Sequence, residues 1–425
     1  MGAFVVIHGT TGVLAPMASY RALDLGVGAS GLGLLTTAFS VFPLVVALRI
    51  GRIVDRHGGV AFMAGGLLLM AIAGVGIAAA PSPTWVYVAF AVLGLGHMTA
   101  VIAAQGIVAK ASDDHTYDQR FSTLSFAASL GQLVGPVLGG IVAGQGSPEE
   151  TTRALLVGAG LATLGLPLVL WMRPRLVART GGGPMQAPAA AQVDSAAPAG
   201  RTDSAAPAGG RARWPSQLGQ PSRPGQPGPS LLSIAQTPGM IRTILVSTMV
   251  LSATDIIIVY LPALGDERGW PAALVGGLLA VRAASSMGMR LVLGRLVARF
   301  GRRVLLGGAL LVSAAALVAL PAAGPVPLIV ALMVVAGAGL GMGQPLTMSW
   351  VASIATPGSR ATALSVRLMG NRLGQLAIPA ATGTLAAVTG AGGVLAATGL
   401  LLAIGLTGLL GGPAGIPGRS RPPRA

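Results

Sequence analysis

Apolar residues in this chain come in long unbroken runs, without the alternation of a half-buried strand or the one-sided spacing of a surface helix. A helix that crosses a bilayer needs roughly 20 apolar residues, and that length picks out twelve runs. Six lie near residues 1–20, 28–50, 59–80, 84–109, 119–144 and 153–173, and six more near 241–262, 271–293, 303–323, 325–349, 360–389 and 392–412. Between 174 and about 235 the chain turns to Pro, Gly, Ala and Ser with scattered Arg, and the segment from Asp194 to Gly200 recurs from Asp203. Such a stretch buries too little apolar surface to offset its ordering entropy, so a disordered linker is expected there. The predicted fold class is an all-α membrane protein of twelve transmembrane helices. It divides into a six-helix bundle over 1–173, the linker over 174–235, a second six-helix bundle over 236–412 and a tail over 413–425.

The two bundles are copies of one another. Gly51-Arg52-Ile53-Val54-Asp55-Arg56-His57-Gly58 returns 243 residues later as Gly294-Arg295-Leu296-Val297-Ala298-Arg299-Phe300-Gly301. Leu130-Gly131-Gln132-Leu133, with Pro136 beyond it, returns at the same offset as Leu373-Gly374-Gln375-Leu376 and Pro379. A register held between independent blocks implies a duplicated half and pseudo-symmetric bundles, an architecture used by secondary transporters. At that offset the first helix lacks the polar lead-in, Ser233 to Arg242, that precedes the seventh, so the natural start is expected upstream of Met1.

Composition agrees with a life in lipid. Hydrophobic residues make up 53% and charged ones 9% of 425 residues, with a mean hydropathy of +0.75, which does not describe a soluble surface. No cysteine is present, which excludes disulfides and thiolate metal sites. The net charge of +16 comes almost wholly from Arg in short segments between apolar spans, with no aromatic-interleaved basic stripe, so nucleic acid is not an expected partner. With the N-terminus inside, the outer loops hold Arg21, Arg153 and Arg268 against Asp24, Glu149, Glu150, Asp266 and Glu267, and most other Arg fall inside. The positive-inside rule then puts both termini in the cytoplasm. The Arg, Ala, Gly and Pro bias suggests a bacterial source, hence the inner (plasma) membrane. Linker Arg residues either touch anionic lipid headgroups or only hold that segment inside.

The block from Gly51 to Gly58 falls between the second and third spans, and its copy between the eighth and ninth. This pattern resembles the loop signature of the major facilitator superfamily, and the likeness extends over twelve spans, six plus six, joined by a long central loop. The resemblance implies a gating loop made by Gly51, Asp55, Arg56 and Gly58, with Gly294, Arg299, Gly301, Arg302 and Arg303 in the second copy. Neither copy is complete: Gly59 and Val60 stand where a basic pair is usual, and Ala298 replaces the acid. Asp55 is therefore expected to carry the gating contact, the alternative being loop charge that only sets topology.

Gly131, Gly135, Pro136, Gly139 and Gly140 on the fifth span resemble the Gly-Pro signature of the superfamily's drug/proton antiporters. Pro136 removes a backbone donor and bends its helix, and the glycines let another helix approach; pure helix packing is the alternative. A further antiporter signature would place Arg four residues before Gly94, where Phe90 stands.

Ionisable groups inside the spans point most directly to a transport site. Asp255, Arg282, Arg367 and Arg372 would together cost on the order of 10 kcal/mol if unpaired and facing lipid, so they are expected to face the interior or water. Helical spacing puts Thr248, Ser252 and Asp255 on one side, Arg282, Ser286 and Arg290 on another, and Arg367, Asn371, Arg372 and Gln375 on one polar arc. The resemblance implies that these stripes line one cavity. A structural ion pair of Asp255 with Arg282 or Arg372 is the alternative; a free Arg would point to an anionic substrate. The first half offers His8 and His97, with Thr11, Ser19 and Gln105 on compatible faces; either imidazole could relay protons or simply pack.

The resemblance thus implies a monomeric secondary transporter, working by alternating access and exporting a small organic molecule in exchange for protons. Uptake or exchange of an organic anion is one rival, and a non-transporting membrane sensor or scaffold the other. No Ser/His/Asp or metal-ligand spacing suggests an enzyme, and no metal or cofactor is expected.

Overall fold

The computed structural model describes residues 1–42, 59–110, 117–180, 236–355 and 360–410. The linker from 181, the tail and the first copy of the loop signature, with Gly51, Asp55, Arg56 and Gly58, lie outside the described residues. The first half contains α1 (Gly2–Asp24), α2 (Ala29–Phe42), α3 (Gly59–Ala78), α4 (Pro83–Lys110), α5 (Tyr117–Ala143) and α6 (Pro148–Thr180). The second contains α7 (Met240–Glu267), α8 (Ala272–Phe300), α9 (Arg302–Ala319), followed by a 3₁₀ turn at Leu320–Ala322, and α10 (Val326–Ile354). The stretch Arg360–Leu410 is broken at Gly390, whose φ of 66° no helix accommodates, into α11 (360–389) and α12 (391–410). α6 runs seven residues past the expected end of its span, to Thr180.

Among the described residues, ten helical stretches are long and apolar enough to cross a bilayer, the α11–α12 pair counting as one, and α2 is a shorter apolar helix. The protein is a multi-pass, almost wholly helical membrane protein. Its outward side chains are as apolar as its core: Leu164, Leu291 and Val388 are more than two-thirds exposed. A water-facing surface would expose such groups singly and sparsely, whereas here they make the lipid face.

The duplication is visible in the packing. α1 lies on α5 and α6, and α3 on α4 and α6; in the second half α7 lies on α11, and α9 on α10 and α12. The halves meet along α5 and α8 and, symmetrically, where α2 crosses α11. A Cβ at Gly276 of α8 would strike the Pro136 carbonyl and Gly140 of α5, and one at Gly33 of α2 would strike the Pro379 carbonyl and Gly383 of α11. Gly33 and Gly276, Pro136 and Pro379, and Gly140 and Gly383 are all 243 positions apart, so one contact has been made twice across a pseudo-twofold axis. Thr37 Oγ1 donates to Leu376 O at 3.2 Å in the α2–α11 crossing, and the Ala273 amide donates to Gly144 O at 3.0 Å beside the other.

Both crossings lie at the end of the molecule that carries the α1–α2, α5–α6, α7–α8 and α11–α12 connections. Four of the charges there cap helices, while Arg153 and Glu149 form an exposed ion pair. Arg21 Nη2 donates to Ala80 O (2.9 Å) beyond α3, and Arg268 Nη1 to Ala323 O (2.7 Å) beyond α9, again equivalent carbonyls. At helix N-termini, Glu150 accepts from the Ser147 amide (3.1 Å) while Ser147 Oγ accepts from the Glu150 amide (3.3 Å), a capping box for α6. Glu267 Oε1 accepts from the Ala391 amide (2.8 Å) at the start of α12. Cations meet carbonyl ends and acids meet amide ends, as the helix dipole favours.

Candidate functional site: a cavity between the two halves

A cavity of about 250 Å³ lies between the bundles. α1 brings His8, Thr11 and Gly12 to its wall, α2 Phe39, α4 His97 and Met98, and α5 Gln132 and Pro136. From the second half come Leu251, Thr254, Asp255 and Ile258 on α7, Leu279 and Arg282 on α8, and Arg372 and Gln375 on α11. Residues three and four apart on one helix share a face, which is why 8, 11 and 12, and 251, 254, 255 and 258, turn inward together.

The second-half wall holds a hydrogen-bonded line. Arg372 Nη1 donates to Gln375 Oε1 at 2.9 Å, and Gln375 Nε2 donates to Asp255 Oδ2 at 2.6 Å. Asp255 therefore communicates with Arg372 through an amide and not by the direct ion pair that the sequence left open. Arg372 Nη2 reaches across to Met98 Sδ at 3.5 Å, joining the halves. Arg282 also lines the cavity, only 5% exposed, yet donates no hydrogen bond to any described residue, and its buried Nε has no partner. Burying a guanidinium costs several kcal/mol even after relaxation, which the charge of Asp255 in the same wall offsets only in part.

The first-half wall is a ladder of rings. Phe4 packs edge-on to His8 (4.7 Å between centroids), His8 edge-on to His97 (5.0 Å), and Phe39 lies near His97 (5.9 Å) and Phe90 (5.4 Å). His97 Nδ1 stands 2.8 Å from Thr11 Oγ1, and the Thr11 hydroxyl donates to Ile7 O at 3.2 Å. A hydroxyl has one hydrogen, so this assignment leaves Thr11 Oγ1 to accept from His97 and puts the imidazole proton on Nδ1. Phe90, where an antiporter-type Arg would stand, belongs to this ladder and is 2% exposed.

Six residues of the expected stripes lie elsewhere: Thr248, Ser252, Ser286, Arg290, Arg367 and Asn371 are not in the cavity wall. Arg367 Nη2 donates to Gln344 Oε1 (2.6 Å), Thr347 Oγ1 (3.1 Å) and Gln344 O (3.3 Å), and Thr248 Oγ1 donates to Asn371 Oδ1 at 3.2 Å. Gln344 Nε2 in turn donates to Ser247 O at 3.0 Å, so this polar cluster ties α7, α10 and α11 together inside the second half. Helical spacing identified the polar face of α11 but not the neighbour each part of it meets. Gln344 and Thr347, single polar residues in an apolar span, carry no sequence signal of that role. Gln132 and Phe39 were also missed, although both sit 243 positions before Gln375 and Arg282, so the repeat could have located them.

The helix-5 glycines divide between two partners. Gly131 and Gly135 meet the backbone of α1 at Gly9 and Gly12, Gly139 lies at van der Waals distance from Val13, and Gly140 packs on Gly276 across the halves. Of the second loop copy, Gly294 lies within α8, Gly301 makes the turn to α9 with φ 79°, and Arg302 opens that helix. Arg303 Nη2 donates to Leu409 O at 3.3 Å, and Arg299 lies over the Phe300 ring at 5.3 Å.

Comparison with known proteins adds the following. The family model described as Major Facilitator Superfamily matches residues 1–297 and, again, 243–424. The quinolone resistance protein NorA of Staphylococcus aureus is 24% identical over 132 residues, 31% of this chain and 34% of that protein. The chain thus spans about a third of the length of the curated relatives it matches. Among solved structures, the nucleoside transporter NupG (D323A mutant) superposes with a TM-score of 0.71 at 15% identity, over 96% of this chain and 97% of that one. A bacterial homolog to the human lysosomal transporter Spinster, inward-facing and occupied, gives 0.68 at 16% identity, over 96% and 95%. At these identities the structural likeness carries the fold alone.

Proposed function

The chain belongs to the major facilitator superfamily, and from that premise we propose that it exports a small organic molecule in exchange for protons, by alternating access to the cavity between its halves. The carrying observation is Asp255, the acidic side chain of that wall, held by Gln375 in a cavity to which both bundles contribute. A carboxylate between two moving halves is suited to take up a proton on one side and release it on the other. The local likeness to NorA, by name a quinolone resistance protein, supports the export direction. The glycine crossings support a state closed at one end; with both termini cytoplasmic, as the Arg distribution favours, that end is the outer one. Each chain supplies both walls, which supports action as a monomer in the bacterial inner membrane.

Everted vesicles test this reading. Accumulation of a substrate that an uncoupler abolishes is expected, and Asp255→Asn should remove it. Accumulation indifferent to the uncoupler would contradict proton coupling. A second reading, uptake or exchange of an organic anion, is favoured by one observation, that Arg282 has no hydrogen-bond acceptor among the described residues; accumulation in right-side-out and not in everted vesicles would establish it.

A further inference from the structure

We infer that the molecule bound in this cavity carries an oxyanion, a carboxylate in the first instance, seated on the guanidinium of Arg282, with a ring against the Phe39–His97 wall. The inference rests on the reading that the cavity is the binding site, and on neither the direction of transport nor the coupled ion.

Four Arg residues in the membrane-spanning part can be compared by what already satisfies them. Arg367 has three acceptor contacts within its own half. Arg290 donates to Ser129 Oγ at 3.0 Å and to Gly341 O at 3.4 Å, and Arg372 donates to Gln375. Arg282 alone of the four has no hydrogen-bond acceptor among the described residues, and it stands in the cavity wall. Asp255 attracts both Arg282 and Arg372 without hydrogen-bonding to either, and the donor it meets is Gln375. The wall therefore carries two guanidinium groups against one carboxylate, and the unmet group is the planar fork that pairs with oxyanions in bidentate fashion. A buried cation left in this condition gains most from a ligand that brings the missing charge.

The rest of the cavity limits the ligand's body. At the position equivalent to Arg282 the first half presents Phe39, beside His97, and Met98, Leu279 and Ile258 complete an apolar surround. Aromatic edges and faces of this kind favour a flat ring. At about 250 Å³ the space falls just below the ~300 Å³ at which small-molecule pockets begin, so the ligand is small.

The test is equilibrium binding to the purified full-length chain, by thermal shift and by titration, with benzoate and 2-naphthoate beside their neutral amides, benzamide and 2-naphthamide. The carboxylates should bind and the amides should not. Arg282→Gln should weaken carboxylate binding by about tenfold to a hundredfold without lowering the melting temperature of the ligand-free protein, because the group removed holds no hydrogen bond among the described residues. Arg282→Lys, which keeps the charge and loses the fork, should fall between, and it carries the test should the Gln variant not fold. Amides binding as tightly as carboxylates, with Arg282→Gln unchanged, would overturn the inference while leaving the cavity as the site. Thr254→Trp, which fills the cavity, separates the other failure: carboxylate binding that survives it would show that the cavity is not the site. Absence of binding by both carboxylates to folded wild-type protein would also overturn the inference.

Discussion

The two halves line one cavity from equivalent positions with different chemistry. His8 and Leu251, Thr11 and Thr254, Gly12 and Asp255, Ala15 and Ile258, Phe39 and Arg282, and Gln132 and Gln375 are each 243 positions apart, and all twelve face the same space. The backbone has kept its doubling closely enough that both copies of each position still turn inward. The side chains have not: the second half supplies the Asp and both Arg residues, the first supplies His and Phe. A symmetric scaffold thus holds a polar asymmetry, charge on one wall and rings on the other. An asymmetric ligand can bind such a site in one orientation, which a symmetric site would not specify.

The largest expected effect comes from removing the carboxylate of the charged wall. Asp255→Asn keeps the shape and the Gln375 contact but cannot carry a proton; proton-driven flux in vesicles should fall at least ~100-fold, in the range of acid–base losses, while binding persists. Unchanged flux would mean the acid serves the fold alone.

The glycine crossings sharpen the symmetric side of the comparison. Gly33→Val and Gly276→Val, at equivalent crossings, should each prevent close approach of the halves and lower flux by similar factors, about tenfold or more, since overpacking of 1–3 kcal/mol weights one state. Flux measurements that find one severe and the other silent would break the pseudo-equivalence.

Next in size is the polar cluster outside the cavity. Arg367→Met should strip Gln344 and Thr347 of their donor and destabilise the protein by about 1–3 kcal/mol, read as a lower melting temperature in detergent. Its contrast with Arg282, whose loss leaves no hydrogen-bond acceptor unmet among the described residues, is the point of the comparison. The smallest effects belong to the paired caps: Arg21→Ala and Arg268→Ala should each cost roughly 1 kcal/mol or less, with flux retained.

Much of the fold was legible because lipid imposes a length on apolar runs and a duplicated gene keeps its register. The break between α11 and α12 falls at Gly390, in the gap expected between two apolar runs. The candidate site was legible in its charges: Asp255, Arg282, Arg372 and Gln375, with His8 and His97 opposite, do line one cavity. Arg367 and Asn371 did not separate from them by sequence, because helical spacing gives a residue's angle but not the neighbour it meets. Arg367 at one level of α11 meets α10, while Gln375, two turns on, meets the cavity. Phe39 escaped notice because a ring in an apolar span has no pattern of its own; only its offset from Arg282 marks it.

The chain's lack of cysteine makes one measurement direct. A single cysteine at Thr254, in the wall between the halves, can be exposed to a membrane-impermeant methanethiosulfonate from the outside of intact cells and from the inside in everted vesicles. Alternating access to one shared cavity predicts modification from both sides, at rates that shift in opposite directions when transport is driven. Modification from one side only, under every condition, would contradict it.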